Sequence, residues 1–351
     1  MMFHIMQDCG MNERNLEVVI RRAVSATGLP RRAVDREIRD RKLDRTHRGI
    51  YIDPRAGDGE AAYQWHLRMA AHLARGGPNS AVSHRAAAVL HQFDGWTDPP
   101  GSATPEDLLV PFASGFHGRP AMRTRTLRPN EIMITGGLRV TTPGRTLADL
   151  GRLVGVDDME IALESALRLP DEEPRIWNRT LLAELEARAT GVGGARTGIP
   201  TLRAVLLRRP FGARPTGSIA ETYGVQALRG VGLELVRQPT VRMFDTSGVK
   251  RRTAYPDLAE LDYGAFLEID GWGWHSSQKA LEADLSRQND LNEVFDVFRY
   301  PAKTVLSTPR LFAKQVAQRL ANAEPRFTSE VTELRNHRVV RTDEGFDVFR
   351  R

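Results

Sequence analysis

The residues of this chain best suited to chemistry stand in order across its last third. They are Glu221 in SIAETYG, Asp257 in YPDLAE, Glu268 and Asp270 in FLEIDGWGWHSS, His275 at the end of that stretch, and then Asp284 and Arg287 in DLSRQNDL. Side chains alternate along a strand, so Glu268 and Asp270 share one face of FLEID while Leu267 and Ile269 share the other. Two carboxylates on one face cost free energy unless a cation, a proton, hydrogen bonds or solvent compensates them. Carboxylates from a helix and two neighbouring strands can supply the oxygen ligands that Mg2+ or Mn2+ takes. Such a site lowers the pKa of a bound water and stabilises charge on a phosphodiester oxygen, with His275 available as general base or outer donor.

Each residue also has a plainer use. Ser218 and Glu221 have the spacing of a helix capping box. Asp257 follows a proline and fits a strand-end turn, Asp284 and Arg287 fit a surface pair on a helix, and His275 fits an aromatic cluster with Trp272 and Trp274.

The elements that would position these groups can be read from periodicity. SIAETYGVQALRGV is a helix ending near Gly232; ELVRQPTVRMF and RRTAYPDLAE are strands divided by the turn DTSG, and AFLEID is a third. A polar helix over about 278–294, the strand DVFRY and the helix STPRLFAKQVAQRLANA follow, and the charged tail beyond 325 is expected to be poorly ordered. At the other end, Leu16, Val19, Ile20 and Ala23 have helical spacing over 13–27, closed by Gly28. Pro30 opens a second helix, RRAVDREIRDRKL, with Val34, Ile38 and Leu43 inside and Arg31, Arg32, Arg36, Arg39 and Arg41 outside. LDRTHRGIYID then alternates about Gly49 as a short hairpin would, and the whole has the outline of a winged helix-turn-helix.

Between them lie helices at YQWHLRMAAHLARGG and SHRAAAVLHQF, the latter with Ser83 as N-cap, and strands at DLLVPF, AMRTRTL, EIMITG and LRVTT. TTPGRTLADLGRL begins with Thr142 as N-cap and Pro143 in the first turn, and helices follow at about 157–169 and 178–189. GVGGARTGIP lacks the Lys-Ser/Thr ending of a phosphate loop and has no strand before it, so it is a connection.

At 351 residues the chain is long enough for two or three domains. Its net charge of +6 is carried mostly by arginine, which pairs with phosphate through a two-pronged contact, although a G+C-rich genome produces the same bias. Residues 14–55 hold twelve basic against six acidic side chains, an excess that fits a DNA partner as well as a solvated face. The single cysteine, Cys9, excludes an internal disulfide framework and a cysteine-based zinc finger. No stretch reads as a signal peptide or a membrane span, so a cytoplasmic protein with no membrane partner is expected, with Met11 as an alternative start.

Several ordered motifs carry a resemblance. S-x-x-E at Ser218 to Glu221, Pro256-Asp257, the strand LEIDG with a nearby histidine, and D-x-x-R-x-N-x-L at Asp284, Arg287, Asn289 and Leu291 resemble the Vsr-like endonucleases of the PD-(D/E)XK superfamily, over roughly residues 215–322. FRYPAKTVLSTP resembles the strand and helix start that close that domain. The superfamily's Glu-x-Lys is here Glu268-Ile269-Asp270, a departure common in the Vsr-like branch that leaves water positioning to His275, Arg287 or a second metal. The resemblance implies Asp257 and Glu268 as principal ligands of Mg2+ (or Mn2+), Asp270 as a further ligand and, with Glu221, a supporting acid, and Arg287 as a phosphate or transition-state contact.

HRGIYID, SHRAAAVLHQF and TTPGRTLADL, in that order over residues 14–170, are similar to the AbiEi-type antitoxins of type IV toxin-antitoxin systems. This implies DNA contact by Arg31, Arg32, Arg36 and Arg39 from the second helix and by Arg48 from the wing, and admits a cognate toxin and a homodimer as partners.

The expected architecture is therefore multidomain α+β: a winged helix-turn-helix at 13–55, an α/β middle region at 60–205, a PD-(D/E)XK domain at 215–323 and a charged tail at 326–351. The expected function is DNA binding joined to metal-dependent cleavage of DNA phosphodiester bonds in defence, repair or a toxin-antitoxin setting. The alternative is an AbiEi-like transcriptional regulator whose nuclease fold is catalytically inactive.

Overall fold

The computed structural model describes residues 18–20, 28–40, 42–55, 61–96, 108–111, 122–124, 127–168, 177–190, 199–271 and 286–351. It is a mixed α/β protein of two compact units, one formed by Met1–Ala162 with Ala183–Ala204 and the other by Leu163–Leu182 with Val205–Arg351.

The first unit begins with a correction. Val18–Ile20, expected to be helical, is a strand (β1), antiparallel to a later strand with Val18 opposite Ile52. Consecutive β-branched residues favour an extended backbone, and pairing with that strand decides the matter against a helical spacing of apolar positions. The rest of the expected 13–27 helix lies outside the described residues. Helix α1 (Arg31–Asp40) buries Val34 and Ile38, and the hairpin of β2 (Asp44–His47) and β3 (Ile50–Ile52) turns at Gly49, whose φ of +81° suits a residue without a Cβ. The small sheet has the order β1-β3-β2.

Helix α2 (Ala61–Gly76) joins this sheet to a second. Its Trp65, Leu67, Met69 and Leu73 share one apolar core with Ile50 and Ile52 of the hairpin and with Val82, Leu138 and Val140. The second sheet has the order β6-β5-β4-β8-β7, from β4 (Ala81–Val82), β5 (Leu108–Pro111), β6 (Met122–Thr124), β7 (Ile132–Thr135) and β8 (Leu138–Thr141). Helix α3 (His84–Leu90) follows β4, and α4 (Pro143–Leu150) follows β8 with Pro143 in its first turn. Ser83 and Thr142 occupy the expected N-cap positions without a side-chain cap bond; the Ser83 hydroxyl pairs with His84 Nδ1 instead, at 2.7 Å. Helices α5 (Val156–Leu167), α6 (Arg179–Ala189) and α7 (Ile199–Arg208) complete the middle of the chain, the last of them unforeseen beside the glycine-rich connection.

In the second unit, helix α8 (Ile219–Arg229) precedes five strands: β9 (Val236–Arg237), β10 (Thr240–Phe244), β11 (Lys250–Ala254), β12 (Leu258–Glu260) and β13 (Ala265–Asp270). Residues 286–292 are helical and lead to β14 (Asp296–Pro301), α9 (Ala302–Ser307) and α10 (Pro309–Ala321). One sheet runs β14-β13-β12-β9, with β13 and β14 parallel and the other pairs antiparallel.

Alternation along β13 sorts its two faces. Leu267 and Ile269 pack with Leu228, Val305, Phe312 and Val316 of the helices, while Phe266 packs with Leu291, Phe295 and the other sheet. Gly224 lets α8 lie close to β13, since a Cβ there would meet Ile269 Cδ1 at 2.9 Å. The other sheet, of order β11-β10-β17-β16-β15, supplies the second correction. Residues 326–351, expected to be poorly ordered, form β15 (Val331–Glu333), β16 (His337–Thr342) and β17 (Gly345–Arg350), with β17 parallel to β10. Phe327, Val339, Phe346 and Val348 bury themselves in the shared core, so alternating apolar positions outweigh the high charge. Among the described residues, no helix is long and apolar enough to cross a membrane.

Candidate functional site

Strand register builds the site. Leu258 stands opposite Leu267 on one side and Arg237 on the other. Asp257, one position before β12, therefore stands beside Glu268 and beside Gln238, and Glu268 in turn pairs with Arg299 of β14. A row of polar residues thus crosses four strands at one end of the sheet.

Asp257 extends the ladder with its side chain: Oδ2 accepts the Ile269 amide at 2.7 Å, and its carbonyl accepts the Gln238 amide at 2.9 Å. As a residue it is half-buried, yet burial of its carboxylate is the largest influence on its proton. With the neighbouring Glu221 and Glu268 charges, burial pushes its pKa up to about 8, against the Ile269 hydrogen bond and Arg287. This influence places Glu221 and Glu268 each within electrostatic reach of Asp257.

Glu221 enters from α8 and is 5% exposed. Its backbone N–H donates to Ser218 Oγ at 3.2 Å and the Ser218 hydroxyl returns a bond to Oε1 at 3.0 Å, while Gly217 N–H and Gln238 Nε2 donate to Oε2 at 2.6 and 2.8 Å. The cap is real, and it coexists with the carboxylate cluster. Burial raises the Glu221 pKa and these hydrogen bonds oppose it.

Glu268 is buried, with Arg287 Nη2 3.8 Å from its Oε2, so the helix at 286–292 brings a cation to the carboxylate. Asp270 keeps to the face of Glu268 but is engaged elsewhere: Arg299 Nε donates to its Oδ2 at 2.9 Å and a second guanidinium nitrogen bonds Oδ1. Arg299 also donates to Gln288 Oε1 at 2.9 Å. His275, Asp284, Trp272 and Trp274 lie outside the described residues.

Three participants were not foreseen. Gln238 and Gly217 act through hydrogen bonds that no periodicity marks, whereas Arg299 could have been placed by aligning alternation in DVFRY with that in FLEID.

The donor set is all oxygen and carries excess negative charge, which suits a hard divalent cation. Asp257 and Glu268 fit such an ion; Asp270, paired with Arg299, and Glu221, held by three donor groups, are less available. Among the described residues, no three His, Cys, Asp or Glu side chains are already arranged as a ligand set.

In the first unit, Arg31, Arg32, Arg36 and Arg39 are exposed on α1 and Arg48 is exposed in the hairpin turn. Arg32, Arg36 and Arg39 follow helical spacing on the side away from Val34 and Ile38. No protein-family model matches the chain, and no curated protein matches it.

Proposed function

We propose that the chain is a DNA-binding protein whose second unit cleaves phosphodiester bonds with the help of a divalent cation. The observation that carries this is the convergence of Glu221, from a helix, and Glu268, from a strand, on Asp257 just before the adjacent strand, where burial first and then these two charges push the Asp257 pKa up to about 8. Structural carboxylates are seldom gathered at such a cost; a cation would relieve it.

Asp257 and Glu268 would hold Mg2+ or Mn2+, which when bound lowers the pKa of a water and stabilises charge on the phosphodiester. Arg287, beside Glu268, would contact the phosphate and offset its developing charge. Glu221 keeps the cluster negative, and Asp270 orients Arg299 at its rim. His275 is assigned the role of base or water-orienting group on sequence alone. The PD-(D/E)XK, Vsr-like resemblance agrees with this distribution of acids.

The arginine row on α1 with Arg48 in the following hairpin supports winged-helix contact with duplex phosphates, in keeping with the AbiEi-like resemblance. Joining both modules in one chain raises the local DNA concentration at the carboxylates without any new contact.

A second reading, a regulator that binds DNA without cutting it, is favoured by the Arg299 pair on Asp270 and the capping bonds on Glu221. The two are separated by incubating labelled duplex, nicked, mismatched and single-stranded DNA with the protein and Mg2+ or Mn2+. Cleavage that disappears in Asp257→Ala and in Glu268→Ala supports the nuclease; binding without cleavage of any substrate supports the regulator.

A further inference from the structure

Gln238 is 4% exposed and has a φ of +46°, directly before Pro239. A residue preceding proline is pushed toward an extended backbone, and the left-handed region is uncommon for any side chain with a Cβ. Such a conformation persists where its surroundings over-determine it, and it gathers at functional sites.

The surroundings do so here. The Gln238 amide donates to the Asp257 carbonyl at 2.9 Å, its carbonyl accepts Arg214 Nη1 at 2.6 Å, and its Nε2 donates to Glu221 Oε2 at 2.8 Å. One residue thereby ties the strand bearing Asp257 to the helix bearing Glu221. A core-filling glutamine would need neither the backbone strain nor a carboxylate as acceptor.

We propose that Gln238 is the positioning residue of the carboxylate site: its left-handed backbone aims the amide at Glu221 and holds that carboxylate toward Asp257, so that the cluster is preorganised for a divalent cation. The inference rests on the nuclease reading above. Its effect on the cation passes through Glu221.

Gln238→Gly tests it in the full chain, because glycine adopts this backbone freely and only the side chain is removed. The readouts are thermal melting and the Mn2+ dissociation constant, measured from the electron paramagnetic resonance signal of free Mn2+. The variant should still melt cooperatively and bind Mn2+ about 10- to 100-fold more weakly, the range for removing a group that orients a ligand. In a Glu221→Gln background the same substitution should cause no further loss. Gln238→Asn, which tolerates the backbone but falls one methylene short, repeats the test should the glycine variant not fold. Native affinity in Gln238→Gly, or an equal loss in both backgrounds, would overturn the positioning role. Absence of Mn2+ binding by the native protein would instead refute the nuclease reading, and this role with it.

Discussion

Replacing Asp257 with asparagine should make the protein more stable above neutral pH. The native carboxyl is pushed up to about 8 from the ordinary 3.8, chiefly by burial and then by Glu221 and Glu268. A folded-state pKa above the unfolded value means that the native state holds its proton more tightly, so stability is full below about pH 4 and is lost as pH rises toward about 8. A shift of about four pKa units corresponds to a ceiling of roughly 6 kcal/mol at 1.36 kcal/mol per unit. Solvent entry and redistribution of charge over the three acids lower it, and a difference of at least about 2 kcal/mol between pH 5 and pH 9 should survive. Asparagine keeps an oxygen for the Ile269 amide and has no proton to lose. Urea unfolding of both proteins without divalent cations, from pH 5 to pH 9, reads the effect directly: an advantage for Asp257→Asn that is smallest at pH 5, grows up to about pH 8 and levels off above it. Parallel profiles would show that Asp257 is ionised in the native state at neutral pH and would refute the argument for a strained acid cluster.

Further outcomes follow from the packing and charge. Changing Arg32, Arg36 and Arg39 together to alanine should weaken DNA binding across sequences and reduce the log-log salt slope by about 0.9 for each phosphate no longer neutralised, measured by fluorescence anisotropy at several salt concentrations. Arg145→Ala should destabilise the first unit by about 3–5 kcal/mol, because it leaves Glu131 and Asp149 buried without the guanidinium between them; chemical denaturation measures it. Phe346→Ala should cost about 3–5 kcal/mol in the second unit, whereas a poorly ordered tail would give no change in the same assay. Gly224→Val should push α8 away from Ile269 and lower stability by about 1–3 kcal/mol, seen as an earlier urea transition.

The contrast between foreseen and unforeseen features is physical. Asp257 and Glu268 were legible because residue type and order put carboxylates on neighbouring strands, Arg287 only through the D-x-x-R motif of the family resemblance, and the helices with strong start signals at Pro30, Pro143 and Ser218 appeared where expected. Val18–Ile20 misled because a helical spacing of apolar residues also fits three consecutive β-branched residues that find a strand to pair with. The strands of residues 331–350 were hidden because their short apolar alternation is diluted by arginines and acids whose partners lie on distant strands. The engagement of Asp270 by Arg299 and of Glu221 by Gln238 depends on tertiary register, which spacing along one segment does not encode.

The central claim is that Asp257 and Glu268 share a face of the site because they share a cation. Calorimetric titration of the full chain with Mn2+, beside the Asp257→Ala and Glu268→Ala variants, tests it most directly. One saturable site in the native protein, abolished or greatly weakened in both variants while each remains folded, is the predicted result. No binding by the native protein, or binding that both variants retain, would contradict the account and leave the acids as a structural feature of a DNA-binding fold.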